Sequence, residues 1–201
     1  DIHYLINGAK LHEEFRSLMK QVKENNSIHL FTQARIENIE GSIGHFKTKI
    51  GTNGTFKEVE HGTVIVSTGA QEYQPKEYLY GEDERVMTQL ELERRLVVID
   101  DFISSPGKGP GTVVMIQCVG SRDQERPYCS RLCCTEAVKN ALKIKELSPT
   151  SNVYVLYRDV RTYGFKESYY TKARQQGVVF IRYDVDKKPQ VLRNGKTLKV
   201  E

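Results

Sequence analysis

The residues that could do chemistry here are four thiols. Cys118, Cys129, Cys133 and Cys134 are the only cysteines of the 201-residue chain, and all fall in VVMIQCVGSRDQERPYCSRLCCTEAVKNALKIKEL, residues 113–147, with the spacing C-x10-C-x3-C-C. Thiolates converging on one point are what a soft cation or an iron–sulfur cluster requires. A cubane cluster takes four cysteines, and a structural zinc takes four cysteines or a mixture with histidine. His3, His12, His29, His45 and His61 all lie far upstream, so a metal site here is most simply all-thiolate. Zinc ribbons bring C-x2-C knuckles, and none is present. The adjacent pair Cys133-Cys134 suits a bulky cluster better than a compact tetrahedral ion. Amides at a helix start near Cys134 and Thr135 would favour an anionic group. Zinc, and cysteines that are simply buried or disulfide-paired, remain alternative readings of the same residues.

The flanking pattern says what must position the thiols. Val113, Val114, Met115 and Ile116 form a short apolar run of the kind found in buried parallel strands. After the cysteines, Ala137, Val138, Ala141 and Leu142 recur on one helical face. The thiols therefore belong to a strand-to-helix crossover, where open α/β sheets place their ligands. Residues 152–157 (NVYVLY) read as another buried strand and 178–183 (VVFIRY) as a third strand. Residues 165–176 between them read as a helix closed by Gly177, with Tyr169, Tyr170 and Ala173 periodic. This β-α-β-α-β alternation predicts a parallel sheet. Asn194-Gly195, within residues 191–200, marks a hairpin.

The N-terminal half reads differently. Residues 11–23 form an amphipathic helix with Phe15, Leu18, Met19 and Val22 on one face. Residues 27–34, 35–39 and 41–50 read as strands, and Asn53-Gly54 is a two-residue hairpin signal with residues 56–60 returning. Gly41-x-x-Gly44 opens no helix and is a hairpin turn rather than a dinucleotide loop. Residues 62–70 (GTVIVSTGA) read as a buried strand over 63–67 ending at Thr68, Gly69 and Ala70, where glycine lets backbone pass close to a ligand. Residues 88–96 read as a helix. Residues 104–111 (SSPGKGPG) read as a linker without the Walker spacing.

Composition is that of an ordinary globular chain, with 28% charged and 38% hydrophobic residues. The net charge of +4, with both signs interspersed, gives no case for nucleic acid. No apolar run approaches the ~20 residues of a membrane span. Clustered thiols without a secretory signal point to a reducing, cytoplasmic compartment.

The segments GTVIVSTGA, YLYGEDERVMTQLELE, the cysteine stretch, NVYVLYRDVRTYGF and GVVFIRYD together resemble the A-subunit family of heterodisulfide reductases, proteins of methanogens, sulfate reducers and other anaerobes. The resemblance runs from about residue 37 to the end, and the cysteine motif with YRDVRTYGF is its most specific part. It implies a thioredoxin-reductase-like α/β flavoprotein: an FAD-binding domain and a second Rossmann-like domain. In this chain, residues 1–103 would be the later part of an FAD-binding domain, containing the small antiparallel meander, and residues 104–201 the second domain. The resemblance implies a 4Fe-4S cluster on Cys118, Cys129, Cys133 and Cys134, with Thr68, Gly69 and Ala70 near FAD. It also implies that Lys139 approaches the flavin ring, where a cation stabilises anionic reduced forms. Helical phase alone instead favours Lys139 as a solvent-facing lysine like Lys143 and Lys145.

The family's first FAD strand, its G-x-G-x-x-G loop and its ferredoxin-type domains have no counterpart here, so the chain is expected to be a fragment of a larger oxidoreductase subunit, inactive alone. Cys118-Val119-Gly120-Ser121 occupies the turn at which a pyridine-nucleotide oxidoreductase would bind phosphate. The expected function is electron transfer between FAD and the cluster toward partner iron–sulfur subunits. A non-redox interaction module built on structural zinc and a pyridine-nucleotide-disulfide oxidoreductase-like domain are the rival readings.

Overall fold

The computed structural model describes residues 3–9, 11–98 and 110–201. Most of the expected linker, and the expected domain boundary at 103/104, lie outside the described residues. By contact the chain divides into two units, Glu13–Gln71 and Asp1–His12 with Glu72–Glu201.

The smaller unit holds most of helix α1 (Leu11–Glu24) and an antiparallel meander of β1 (Ala34–Ser42), β2 (His45–Thr52) and β3 (Thr55–His61), in the order β1-β2-β3. Asn53 and Gly54 both take positive φ, 46° and 81°, as a hairpin turn matching the strand twist requires. Two expectations fail in this unit. Residues 27–33 are not a strand, and pairing begins only at Ala34. The apolar run at 63–67 is neither strand nor buried: Ile65 is 84% exposed and Val66 79%. A β-strand is stabilised by its neighbours, and no described strand pairs with this run. Phe15, Leu18 and Met19 of α1 are likewise exposed.

The larger unit carries the expected α/β alternation. Helix α2 (Gln89–Val97) is followed by β4 (Thr112–Ile116), α3 (Cys133–Leu147), β5 (Asn152–Tyr157), a 3-10 turn (Gly164–Lys166), α4 (Glu167–Gln175) and β6 (Val179–Arg182). Strands β4, β5 and β6 pair in parallel in that order, and a hairpin of β7 (Val191–Asn194) and β8 (Thr197–Val200) follows. Thr88 caps α2 through a capping box with Glu91. Gly177, at φ 83°, ends α4 and lets its N–H reach the Arg174 carbonyl. The core joins Leu92 and Leu96 of α2, Met115 of β4, Ala137, Val138, Ala141 and Ile144 of α3, and Val153 and Val155 of β5. The small residues Ala137 and Ala141, both fully buried, let α3 approach its neighbours closely. Ile144 sits at 0% exposure in this packing. Ile144→Ala is expected to lower unfolding free energy by about 2–5 kcal/mol, read from the urea midpoint at unchanged slope.

Helix α2, expected with the N-terminal part, packs on α3. The mixed α/β fold thus matches the expected class, and the contact boundaries fall at 12/13 and 71/72.

Candidate thiolate site

The site begins where β4 stops. Gln117 extends the ladder by one bond to the Leu156 carbonyl (2.9 Å), and its own carbonyl accepts from the Tyr183 hydroxyl (2.6 Å). The next residue, Cys118, turns into the left-handed region at φ 63°, followed by Gly120 (60°) and Arg122 (59°). A Cβ at Gly120 would collide with the Tyr73 ring, which lies over the turn and carries the Arg126 guanidinium 4.6 Å from its centroid. Space rather than φ requires the glycine here, since Cys118 and Arg122 take the same φ with side chains.

Helix α3 opens at Cys133. Its N-cap is Leu132, which has no side-chain acceptor, so the first-turn amides are left to the sulfurs. The Cys134 thiol, the Ser130 hydroxyl and the N–H groups of Cys134 and Cys133 bring Cys133 down to about 6 against its burial. Its partner Cys134 moves the other way, held up by hydrogen bonding to Cys133 and by burial. Burial also raises Cys118, with Arg122 opposing. The backbone N–H of Arg131 donates to Cys129 Sγ at 3.4 Å.

The structure brings three of the four expected ligands into mutual electrostatic contact: Cys118, Cys133 and Cys134. Cys129 sits on the loop before α3, where its charge interaction is with Arg161. Among the described residues no three His, Cys, Asp or Glu side chains are arranged to hold a metal ion. The donor chemistry nonetheless fits a thiolate-bound anionic cluster: soft ligands, amides directed at sulfur, and guanidinium groups beside them.

Lys139 does not face solvent. It is 4% exposed, ion-paired with Glu93 (2.9 Å) and Glu136 (2.6 Å), and donates to the Tyr4 carbonyl (3.2 Å) beneath the Tyr4 ring. Its helix is covered on that side by α2 and by residues 3–9, which the pattern of α3 alone cannot reveal. Glu93 is 0% exposed and accepts from the His3 and Tyr4 amides. Burial opposes its ionisation, but hydrogen bonds from Glu136, Lys139 and the His3 amide hold it below the usual carboxylate range. Burial and the adjacent Glu93 raise Glu136 to about 7. Asn140 completes the layer, accepting from the Tyr4 hydroxyl (2.7 Å) and donating to Gln89. Sequence reasoning missed this network because its acids come from two helices and its cover from a third segment.

Thr68, Gly69 and Ala70 lie in the smaller unit, exposed and outside any strand, with Gly69 at φ 70°. Sequence reasoning also gave no role to Arg122 or Asp159. Asp159 holds Arg122 at 2.6 Å and its backbone carbonyl accepts from the Cys134 thiol at 3.6 Å.

Fold and cysteines together define an α/β protein with Cys118, Cys133 and Cys134 at the strand-to-helix turn of a parallel sheet. No protein-family model matches the chain. Curated relatives do. The chain is 42% identical over 137 residues to the A-subunit of the H(2):CoB-CoM heterodisulfide,ferredoxin reductase of Methanothermobacter thermautotrophicus, covering 62% of this chain and 21% of that protein. It is 44% identical over 133 residues to the iron-sulfur A-subunit of the CoB--CoM heterodisulfide reductase of Methanocaldococcus jannaschii, covering 60% and 20%. It is 43% identical over 136 residues to the A-subunit of the H(2)/formate:CoB-CoM heterodisulfide,ferredoxin reductase of Methanococcus maripaludis, covering 62% and 21%. Over that stretch the chain is homologous to the A-subunits of heterodisulfide reductases, which are oxidoreductases, and it spans about a fifth of those relatives' length. Among the described residues no helix is long and apolar enough to cross a membrane.

Proposed function

We propose that this chain is the thiol-bearing part of a cytoplasmic electron-transfer flavoprotein subunit of heterodisulfide reductase type, passing electrons between FAD and a 4Fe-4S cluster toward partner iron–sulfur subunits. What supports this reading is that Cys118 follows β4 and Cys133 and Cys134 open α3, with N–H groups at Cys133 and the Arg122 guanidinium 3.9 Å from Cys118 Sγ. The relative from Methanocaldococcus jannaschii is named an iron-sulfur subunit, which supports it.

In this reading Cys118, Cys129, Cys133 and Cys134 hold the cluster, and Thr68, Gly69 and Ala70 contribute to the FAD site. When bound, FAD would exchange electron pairs and the cluster would relay single electrons. The chain's own contribution is electrostatic. The start of α3 keeps Cys133 ionised, the residues around Tyr73 and Gly120 set the turn, and Lys139 is the cation that would face the flavin ring. In this chain the Tyr4 carbonyl and ring cover that ammonium.

The test is composition. Protein prepared without oxygen is expected to carry iron and acid-labile sulfide in equal amounts, about four of each per chain, with broad visible absorption that dithionite bleaches. Zinc in place of iron, at one ion per chain with no visible band, would overturn the redox reading.

A further inference from the structure

The thiol site has a brace that the cysteines do not supply. The loop after β5 carries Arg158, Asp159 and Arg161. The Asp159 carboxylate takes Arg122 at 2.6 Å and Arg161 at 3.6 Å. Its main-chain carbonyl accepts from Cys134 at 3.6 Å. The other end of the Arg122 fork donates from Nη1 to Cys118 Sγ at 3.9 Å, and Arg158 donates to the Arg122 carbonyl at 2.8 Å. Cys118 stands on the turn after β4 and Cys134 on α3, and both are tied through one residue of a third segment.

A lone ion pair on a protein surface contributes little. This pair differs in two respects. Arg122 is 17% exposed although Asp159 is 43% exposed, so its guanidinium is held between the carboxylate and the thiol rather than free in solvent. A guanidinium is also rigid, so holding one edge on a carboxylate aims the opposite edge. Here the aimed edge meets sulfur. N–H groups and positive charge beside ligating sulfurs favour the more negative, reduced state of the group those sulfurs hold. Asp159 is thus the residue that orients the donor, and Arg122 is the donor.

We propose that Arg122, clamped by Asp159, is a positioning residue: in the metal-free chain, where the Cys134 thiol still donates to the Asp159 carbonyl, it fixes Cys118 relative to Cys134, and with the cluster bound it raises the reduction potential by donating to Cys118. This rests on the cluster reading of the thiol site.

Wild type, Arg122→Gln, Arg122→Lys and Asp159→Asn are compared with two readouts. The first is the midpoint potential from an EPR-monitored titration of anaerobically reconstituted protein. Arg122→Gln is expected to shift it to lower potential. Asp159→Asn should shift it the same way by less, because the charge stays while its aim is lost, and Arg122→Lys should fall between. The second readout uses metal-free protein: the yield with which a short bifunctional thiol reagent joins Cys118 to Cys134. It is expected to fall several-fold in Arg122→Gln and Asp159→Asn, with total thiol alkylation in denaturant unchanged. Iron-loaded Arg122→Gln with the wild-type midpoint, or wild-type crosslinking in both variants, overturns the proposal. A variant that will not hold iron is judged by crosslinking alone. Wild type that assembles no cluster sinks the cluster reading instead, and the crosslink yields still decide whether the brace exists.

Discussion

Cys133→Ser is expected to leave a folded chain that has lost its iron, its sulfide and its visible absorption. Cys133 is the thiol whose surroundings most favour the thiolate, at about 6, and the thiolate is the ligating form. Serine keeps the volume and the hydrogen-bonding position at the start of α3, but its hydroxyl does not ionise near neutral pH and binds soft iron poorly. The residue is half-buried at a helix terminus and outside the apolar core, so the fold should survive. The measurement is iron and sulfide per chain after anaerobic reconstitution, with circular dichroism to verify folding. A Cys133→Ser protein that still binds about four irons per chain would remove this thiol from the ligand set. Cys129→Ser gives a useful contrast. Cys129 stands on the loop before α3, so its loss tells whether that loop supplies a ligand to the cluster.

What the sequence made legible was whatever is encoded by nearest neighbours. Asn53-Gly54 announces its hairpin because only a few residue types take positive φ at two consecutive positions. Residues 152–157 announce β5 because Val153 to Tyr157 form an unbroken apolar and aromatic run, of which Val153 and Val155 are buried. The run at 63–67 misled for the same reason. Val64, Ile65 and Val66 have strand composition, but composition does not supply a neighbouring strand, and these side chains lie exposed. Lys139 misled in the opposite direction. Its burial comes from Glu93, 46 residues earlier in the chain, and Tyr4, 135 residues earlier, and no periodicity within α3 encodes either. The thiols were legible as a group because all four lie within one stretch. The Asp159–Arg122 brace was not, because its two charges lie 37 residues apart and meet only when β4 and β5 pair.

Lys139→Met is expected to destabilise the metal-free chain by about 3–5 kcal/mol, the range for stranding a buried charge whose partner has been removed. The lysine sits at 4% exposure between a carboxylate at 0% and one at 26%. Methionine conserves most of the stem's packing, so the loss reports the charge rather than a cavity. The pH dependence separates the two causes. In the wild type Glu136 is raised from 4.5 to about 7, so the folded state binds the extra proton between those values. Its contribution to stability is therefore full below about 4.5 and declines as pH rises to about 7. Glu93 is depressed, so its contribution is present above 4.5 and is lost as pH falls through its lower folded value. Without the ammonium both carboxyls shift upward, and the folded state of Lys139→Met binds more protons than the unfolded chain over a wider range. The deficit relative to wild type should therefore grow from pH 5 to pH 8. Urea midpoints of the two proteins across that range measure it, and the cysteine titrations common to both cancel in the difference. Lys139→Met/Glu93→Gln, which removes the stranded charge while keeping an acceptor for the His3 and Tyr4 amides, should recover part of the loss and flatten the difference. A deficit that is the same at pH 5 and pH 8 would mean that Lys139 stabilises by packing, and that the two carboxylates do not depend on it.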